Sequence, residues 1–178
     1  DSYQIIRYQS KDFPDMWERE KVLVEQIAAV DTTVLSHDDR DIELITYLWE
    51  SYNKGELQII RVKDHEQSIL SKIGDPQGRK RPAGKICRIG NDNYRPSQLC
   101  TRRYGEAVIF NKIEKLTDYE ESEYKTVFAG DICLDRPAKI TGLHTYNESE
   151  NWEVIDVEMI GFSLLRIFGL IPRIYHHF

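Results

Sequence analysis

The 178-residue chain has little cysteine and no cysteine pattern. Its three cysteines, Cys87, Cys100 and Cys133, are odd in number and lack CxxC spacing. The odd number argues against a disulfide framework. The absence of closely spaced cysteine pairs argues against a structural zinc site. Glycine-rich phosphate loops and a GxSxG motif are absent too, which argues against nucleotide-dependent enzymes and serine hydrolases. We therefore expect no cofactor and no metal site.

The chain also lacks an excess of positive charge and a long apolar run. Its formal net charge is −6, with 24 Lys and Arg residues against 30 Asp and Glu residues. That balance argues against nucleic acid and anionic membrane as partners. The apolar run 159–171 is shorter than the roughly 20 residues of a membrane span and contains Arg166. We expect residues 159–178 to form an apolar or amphipathic segment that packs on the domain, and membrane contact is the less favoured alternative.

No signal peptide is visible at the start of the chain. The opening DSYQIIRYQSKDFPD has no basic start followed by an apolar core, which predicts a cytoplasmic location. A composition of 40% hydrophobic and 30% charged residues is typical of a soluble globular domain. Eight of the 24 cations fall within 79–103, where they form either a solvated face or a ligand site.

Short segments rich in β-branched and aromatic residues dominate the sequence. They alternate between apolar and polar residues and are separated by polar turns, which predicts antiparallel β meanders. Only the C-terminal segment and residues 64–71 carry a helical period. The predicted strands are 3–7, 30–35, 42–48, 56–62, 84–89, 107–113, 125–128 and 153–157.

Three stretches, which begin at Ala28, Arg81 and Thr141, share one order of features. Each runs from a loop into a strand, a polar turn and a second strand. A period of roughly 40 to 50 residues with four strands is typical of propeller blades, which insertions lengthen. A β-sandwich has similar strand spacing, so the period alone leaves both architectures open.

An Arg-Pro pair occurs on both sides of a GNDN turn, at Arg81-Pro82 and at Arg95-Pro96. Each proline holds the preceding arginine in extended backbone, which fixes the direction of the guanidinium group. Such groups suit bidentate capture of a carboxylate or a diol. Because proline donates no hydrogen bond, one of the two prolines should lie at an edge, a bulge or a break in strand pairing.

The segments RPAGKI, NYRPSQLCTRRYGEAVIFNKIEKLT and GLHTYNESENWEVID carry a resemblance to a known family. They resemble the propeller-type domain that precedes the transferase domain of plant glucosamine inositolphosphorylceramide transferases. That domain is similar to the five-bladed β-propellers of arabinanase-like and invertase-like glycoside hydrolases. The specific part is the spaced set RPAG, YRPSQ, YG and HTYN. The resemblance implies an all-β propeller of the five-bladed family in residues 1–158, followed by the apolar segment 159–178.

The resemblance also implies that this chain carries a partial ring of roughly two and a half to three blades. A partial ring leaves strand edges that proteins normally pair or cover. The ring would be completed by further blades of the same gene or by self-association. Alternatively, the apolar segment 159–178 would cover its exposed strand edges.

Candidate site residues follow from the same resemblance. Arabinanase-like hydrolases place three carboxylates at the inner ends of successive blades, and two of them must flank the scissile bond. Asp31 lies at such an inner position, Arg81 stands where a general acid is expected, and His144 occurs in the following blade. The carboxylate set is therefore incomplete. Asp31 and His144 are the candidates for catalysis, and the candidates for ligand binding are Arg81, Arg95, Gln98, Tyr104 and Asp156.

Three of these residues have structural interpretations that the sequence leaves open. Asp31 and Arg81 would form an ion pair that joins two blades. His144 would be a hydrogen-bonded core residue, because no second ligand lies at metal-binding spacing.

The expected function is binding of a carbohydrate or glycoconjugate by a propeller domain without a complete hydrolytic site. One alternative is part of a glycosidase or glycosyltransferase of polysaccharide or glycolipid metabolism that uses Asp31. A further alternative is a non-catalytic assembly module.

Overall fold

A computed structural model of the protein describes residues 3–161, except 39, 52, 53, 65 and 134–137. This part of the chain is all-β, with twelve strands and one short 3-10 helix at Ala129–Asp131. It contains no helix with the length and apolar character needed to cross a membrane. Most of the predicted C-terminal segment, from residue 162 onward, lies outside the described residues.

Every strand pairs with its sequence neighbour in an antiparallel ladder, as the alternating pattern predicts. The strands form an N-terminal hairpin (β1–β2), a first four-stranded sheet (β3–β6), a second four-stranded sheet (β7–β10) and a C-terminal hairpin (β11–β12). In the described part of the chain these sheets close neither a barrel nor a ring. The strands are β1 Gln4–Asp12, β2 Asp15–Glu25, β3 Ala29–His37, β4 Asp41–Ser51, β5 Lys54–Lys63, β6 Glu66–Asp75, β7 Cys87–Ile89, β8 Asp92–Leu99, β9 Ala107–Lys115, β10 Glu120–Phe128, β11 Ala138–Ser149 and β12 Trp152–Gly161.

The core consists of successive layers in which each sheet packs on the next. Ile5 and Val24 of the N-terminal hairpin pack with β4 and β5 of the first four-stranded sheet. Ile45 and Ile59 from the same two strands also pack with Tyr119, which immediately precedes β10. Val108 of β9 belongs to a cluster that includes residues of β11 and β12. Burial of these β-branched and aromatic side chains is the main force that stacks the sheets.

Backbone hydrogen bonds join the second four-stranded sheet to the C-terminal hairpin. The Tyr146 amide donates to the Ala83 carbonyl at 2.8 Å, and the Leu143 amide donates to the Gly105 carbonyl at 2.9 Å. Gly84 lies at this junction with a φ of 133°, where a Cβ atom would stand 2.0 Å from the Tyr146 carbonyl oxygen. The junction therefore requires glycine at position 84.

The two Arg-Pro pairs lie where strand pairing is interrupted. The β7–β8 ladder ends at the pair Cys87–Tyr94 and pairing resumes only at an isolated bridge between Pro82 and Ser97. Pro96 lies between these two points of pairing. Because β7 does not pair with β8 there, no carbonyl group of β7 lacks a donor on account of the proline. The predicted break in pairing is confirmed.

The helical period at residues 64–71 does not produce a helix, because residues from Glu66 to Asp75 form β6. Ile60 pairs with Ile69 and Ile59 pairs with Ser71, which leaves Leu70 as an extra residue in a bulge. Because of the extra residue, two apolar residues are adjacent in the sequence and the alternation of apolar and polar residues is interrupted. A strand with this defect has apolar spacing that resembles that of a helix.

Candidate functional site

Asp31 lies in an irregular part of β3 that breaks the alternation of the strand. The β3–β4 register shifts between Val30 and Thr33, and Asp31 has a φ of 50°. The hydroxyl groups of Thr32 and Thr46 are 2.7 Å apart and link the bulged strand to β4. A left-handed residue other than glycine costs backbone energy, although aspartate tolerates this conformation better than most residues. The local fold therefore sustains strain to present the Asp31 carboxylate.

The Asp31 carboxylate contacts the second four-stranded sheet through two donors. Arg81 Nε and Gln98 Nε2 both donate to Asp31 Oδ2, the latter at 3.3 Å. Gln98 is fully buried and also donates to the Pro82 carbonyl at 3.0 Å. The ion pair considered from the sequence is thus present. Because the Arg81 and Asp31 side chains keep 19% and 32% of their surface exposed, the pair is also accessible to a ligand.

Two exposed aromatic rings adjoin the Arg81 guanidinium group. Its central carbon lies 5.6 Å from the centroid of the Trp49 ring and 5.6 Å from that of Tyr104. These rings come from β4 and from the loop after β8, and they are 55% and 52% exposed. Cation–π attraction holds the guanidinium group and the rings together. The result is an accessible surface that combines aromatic rings with one fixed cation.

Tyr104 begins a chain of hydrogen bonds that reaches the C-terminal hairpin. Its hydroxyl group bonds to His144 Nε2, and His144 Nδ1 lies 3.2 Å from Asp156 Oδ2. Burial raises the pKa of the Tyr104 phenol, and the charge of Arg81 opposes this only in part. The phenol therefore keeps its proton at neutral pH. A carboxylate oxygen accepts hydrogen bonds, so Nδ1 carries the hydrogen that faces Asp156. This order of hydroxyl, imidazole and carboxylate orients the imidazole ring, as in hydrolase triads.

Six of the seven predicted site residues are thus connected by direct contacts across three sheets. The residues come from the first and second strands of the three sheets, from the segment before β7 and from the loop after β8. We call this group the inner cluster. With Trp49 added, its members are Asp31, Trp49, Arg81, Gln98, Tyr104, His144 and Asp156.

Arg95, the seventh predicted residue, lies outside the inner cluster. Its guanidinium group donates twice to the Glu121 carboxylate, at 2.8 Å and 2.8 Å, and once to the Lys80 carbonyl at 3.0 Å. The side chain is fully buried. In β8, Arg95 and Gln98 are three residues apart, so their side chains point to opposite sheet faces. The fixed guanidinium group predicted for Arg95 binds a carboxylate of its own chain.

Trp49 and Glu121 were not assigned to any site from the sequence. Trp49 follows Leu48, which pairs with Ala29 at the start of β3. If the pairing register of β3 and β4 had been known, it would have placed Trp49 at the same end of the sheet as Asp31. Glu121 has no comparable local signal, because only the tertiary fold brings it to Arg95.

No three His, Cys, Asp or Glu side chains lie close enough together in the described part of the chain to hold a metal ion.

Comparisons of the chain with protein-family profiles, with curated proteins and with solved structures found no match. The family resemblance therefore remains a prediction from the sequence, and the inner cluster rests on its own geometry.

Proposed function

We propose that this chain is a propeller-type β domain that binds a carbohydrate or glycoconjugate at the inner cluster. The sheet arrangement supports the propeller, since two four-stranded meanders stack face to face between two hairpins. The segment that leads into β7 links the neighbouring first strands, because Arg81 contacts Asp31 of β3 and Ala83 accepts a hydrogen bond from Tyr146 of β11. Residues that open first strands would therefore converge on one mouth of the ring.

The observation that carries the ligand proposal is the pair of exposed rings beside fixed polar groups. Trp49 and Tyr104 offer flat apolar faces for the C–H surface of a sugar ring, as aromatic side chains do in binding sites. Hydrogen bonds to the hydroxyl groups of the sugar would come from the polar side chains of Arg81, His144 and Asp156. Their positions are set by contacts within the protein, which lowers the entropy lost on binding.

The charges at the site favour a neutral sugar or a basic sugar over an acidic one. Arg81 is the one cation of the inner cluster, and the carboxylates of Asp31 and Asp156 oppose it. An anionic ligand would meet a net negative surface, which disfavours binding. We therefore expect neutral hexoses, pentoses or amino sugars as ligands, and weak binding of uronic acids.

The proposal assigns binding rather than hydrolysis. Glycosidases need one carboxyl group that delivers a proton and a second one across the scissile bond. The two carboxylates of the inner cluster both accept hydrogen bonds from N–H donors, Asp31 from Arg81 and Gln98 and Asp156 from His144. Both carboxylates are therefore already engaged by donors of the protein. We expect no release of phenol from aryl glycosides.

A glycan-binding screen followed by calorimetry on the best ligand tests the proposal. The variant Arg81→Ala removes the cation beside both rings, and affinity should fall about tenfold or more through loss of a charged hydrogen bond. Arg88→Ala is the matched control, since Arg88 is an exposed cation on the same hairpin. It should bind as the parent protein does. Equal affinity of the Arg81→Ala variant and the parent would remove the inner cluster from the binding site.

A further inference from the structure

Arg81, the cation of the inner cluster, lies in the segment between β6 and β7 and not in a strand. This segment meets β8 through an isolated bridge at Pro82. Its carbonyl groups face β8, because the Arg81 carbonyl accepts from the Gln98 amide at 2.7 Å and the Arg79 carbonyl accepts from Ser97 Oγ at 2.8 Å. The position of the Arg81 side chain therefore also depends on what binds the amide groups of the segment.

Asp75, the last residue of β6, binds two of these amide groups. Its Oδ1 and Oδ2 atoms both accept from the Arg79 amide at 2.9 Å, and Oδ2 also accepts from the Lys80 amide at 2.8 Å. Asp75 is only 3% exposed, so these charge-assisted bonds lie in a medium where they are stronger than in water. The two residues that precede Arg81 are therefore fixed to the end of β6.

The Tyr47 hydroxyl group is a third donor to the Asp75 carboxylate, at 3.1 Å. Tyr47 belongs to β4 and Asp75 to β6, and β5 runs between these strands. The Tyr47 ring passes β5 at Gly55, where a Cβ atom would stand 2.5 Å from two carbons of the ring. Burial and the charge of Asp75 raise the pKa of the Tyr47 phenol, so the phenol keeps its proton and donates it.

The strand pairing connects the same carboxylate to Trp49, one of the two rings beside Arg81. Trp49 of β4 pairs with Gly55 of β5, and Gly55 pairs with Asp75 of β6. Trp49 and Asp75 therefore lie at the two ends of one row of residues across the first four-stranded sheet. Because Asp75 also binds the segment that carries Arg81, it connects the cation to the strand that carries the ring.

We propose that Asp75, anchored by Tyr47, is the positioning residue that fixes Arg81 relative to the Trp49 ring. Both residues are buried, so neither of them contacts the ligand. Their effect on binding is indirect, since a guanidinium group that is already in place loses less entropy when it binds a sugar. The inference rests on the proposed function, because it concerns the affinity of the sugar site that contains Arg81.

Nitrogen NMR of the Arg81 guanidinium group tests this positioning without any sugar. In the parent protein Arg81 Nε donates to Asp31, so its N–H signal should lie apart from those of exposed arginines, and Arg81→Ala identifies it by its absence. Asp75→Asn leaves one acceptor oxygen for three donors, so the Arg81 signal should move to the position of exposed arginines. Asp38→Asn is the control, because Asp38 also accepts from two backbone amides but lies in the turn between β3 and β4. It should leave the signal unchanged.

Tyr47→Phe gives a milder variant that decides the question if Asp75→Asn does not fold. Tyr119→Phe is its matched control, since Tyr119 belongs to the same core cluster and its hydroxyl group donates to Glu121, a largely buried carboxylate outside the inner cluster. Both variants should lower the urea midpoint of unfolding, but only Tyr47→Phe should move the Arg81 signal. An unchanged Arg81 signal in Tyr47→Phe, or an equal move in Tyr119→Phe, would overturn the inference and leave Tyr47 and Asp75 with a purely structural role.

Calorimetry with the best ligand of the glycan screen gives a second readout. The Kd should rise about three- to tenfold in Asp75→Asn and Tyr47→Phe, as for the net loss of one hydrogen bond, and stay at the parent value in Tyr119→Phe. Parent affinity in both Asp75→Asn and Tyr47→Phe would overturn the inference. If no sugar binds to the parent protein, the proposed function fails, whereas the Arg81 signal still decides whether Asp75 positions Arg81.

Discussion

Replacing Gly84 by alanine should lower the free energy of unfolding by about 3 kcal/mol or more. The residue has a φ of 133°, and an added Cβ atom would stand 2.0 Å from the Tyr146 carbonyl oxygen and 2.9 Å from Asn147 Oδ1. Neither neighbour can move freely, because the Tyr146 amide donates to Ala83 and Asn147 Oδ1 accepts from the Lys85 amide. The substitution would therefore force open the contact between the second four-stranded sheet and the C-terminal hairpin.

Urea unfolding measures this effect as a lower midpoint at an unchanged slope. Gly74→Ala is the matched control, since Gly74 is exposed in β6 and an added Cβ atom would meet nothing within 4 Å. Its unfolding free energy should change by no more than about 0.5 kcal/mol. Equal stability of the two variants would show that the hairpin does not pack on residues 83–85 as described.

The variant Glu121→Ala should destabilise the protein by about 3 to 5 kcal/mol, as loss of one partner from a buried ion pair does. It leaves the fully buried Arg95 guanidinium group without its bidentate carboxylate. The Tyr119 hydroxyl group, which donates to Glu121 at 2.8 Å, also loses its acceptor. Denaturant unfolding monitored by circular dichroism measures the change.

The double variant Arg95→Met with Glu121→Leu is the control for this prediction. It replaces the pair by apolar side chains of similar volume, so no charge stays buried and unpaired, and only the Tyr119 hydroxyl group still lacks its acceptor. We expect it to regain most of the stability lost in Glu121→Ala. A double variant as unstable as the single one would mean that packing, and not the unpaired charge, sets the cost.

The same pair predicts how stability depends on pH. Burial opposes ionisation of Glu121, but the charge of Arg95 and hydrogen bonds from Arg95 and Tyr119 outweigh it and hold the pKa of Glu121 below its ordinary value. The contribution of Glu121 is therefore present above the ordinary pKa of a glutamate. It is lost as the pH falls through the lower pKa of the folded state. The double variant should lack this part of the acid-side loss in unfolding experiments.

Local pattern predicted the regularly alternating strands and missed β2, β6, β8 and β11 as individual strands. Segments such as residues 42–48 and 107–113 alternate regularly, and both lie inside strands of the structure. β6 was missed because the bulge at Leu70 removes the alternation on which the prediction depends. Bulges depend on pairing with a partner strand, and a single segment does not reveal its partner.

The candidate site was predicted from the family resemblance and not from local pattern. Tyr104 and His144 are 40 residues apart and meet because the loop after β8 lies beside β11, where the Leu143 amide donates to the Gly105 carbonyl. Arg95 was grouped with Arg81 on the strength of the shared Arg-Pro pair, although strand alternation already places Arg95 and Gln98 on opposite faces of β8. Its carboxylate partner, Glu121, is 26 residues away in β10, so only the tertiary fold identifies the pair.

Nitrogen NMR of the His144 imidazole during a sugar titration tests the central claim most directly. His144 lies between Tyr104 and Asp156 in the inner cluster, and the variant His144→Asn assigns its signals by their absence. For the best ligand from the glycan screen, the Nδ1 and Nε2 shifts should move and saturate with the Kd found by calorimetry. Arg88→Ala should reproduce that curve, and Arg81→Ala should flatten it. A sugar that binds with measurable heat while both His144 nitrogen signals stay unchanged would contradict the assignment of this site.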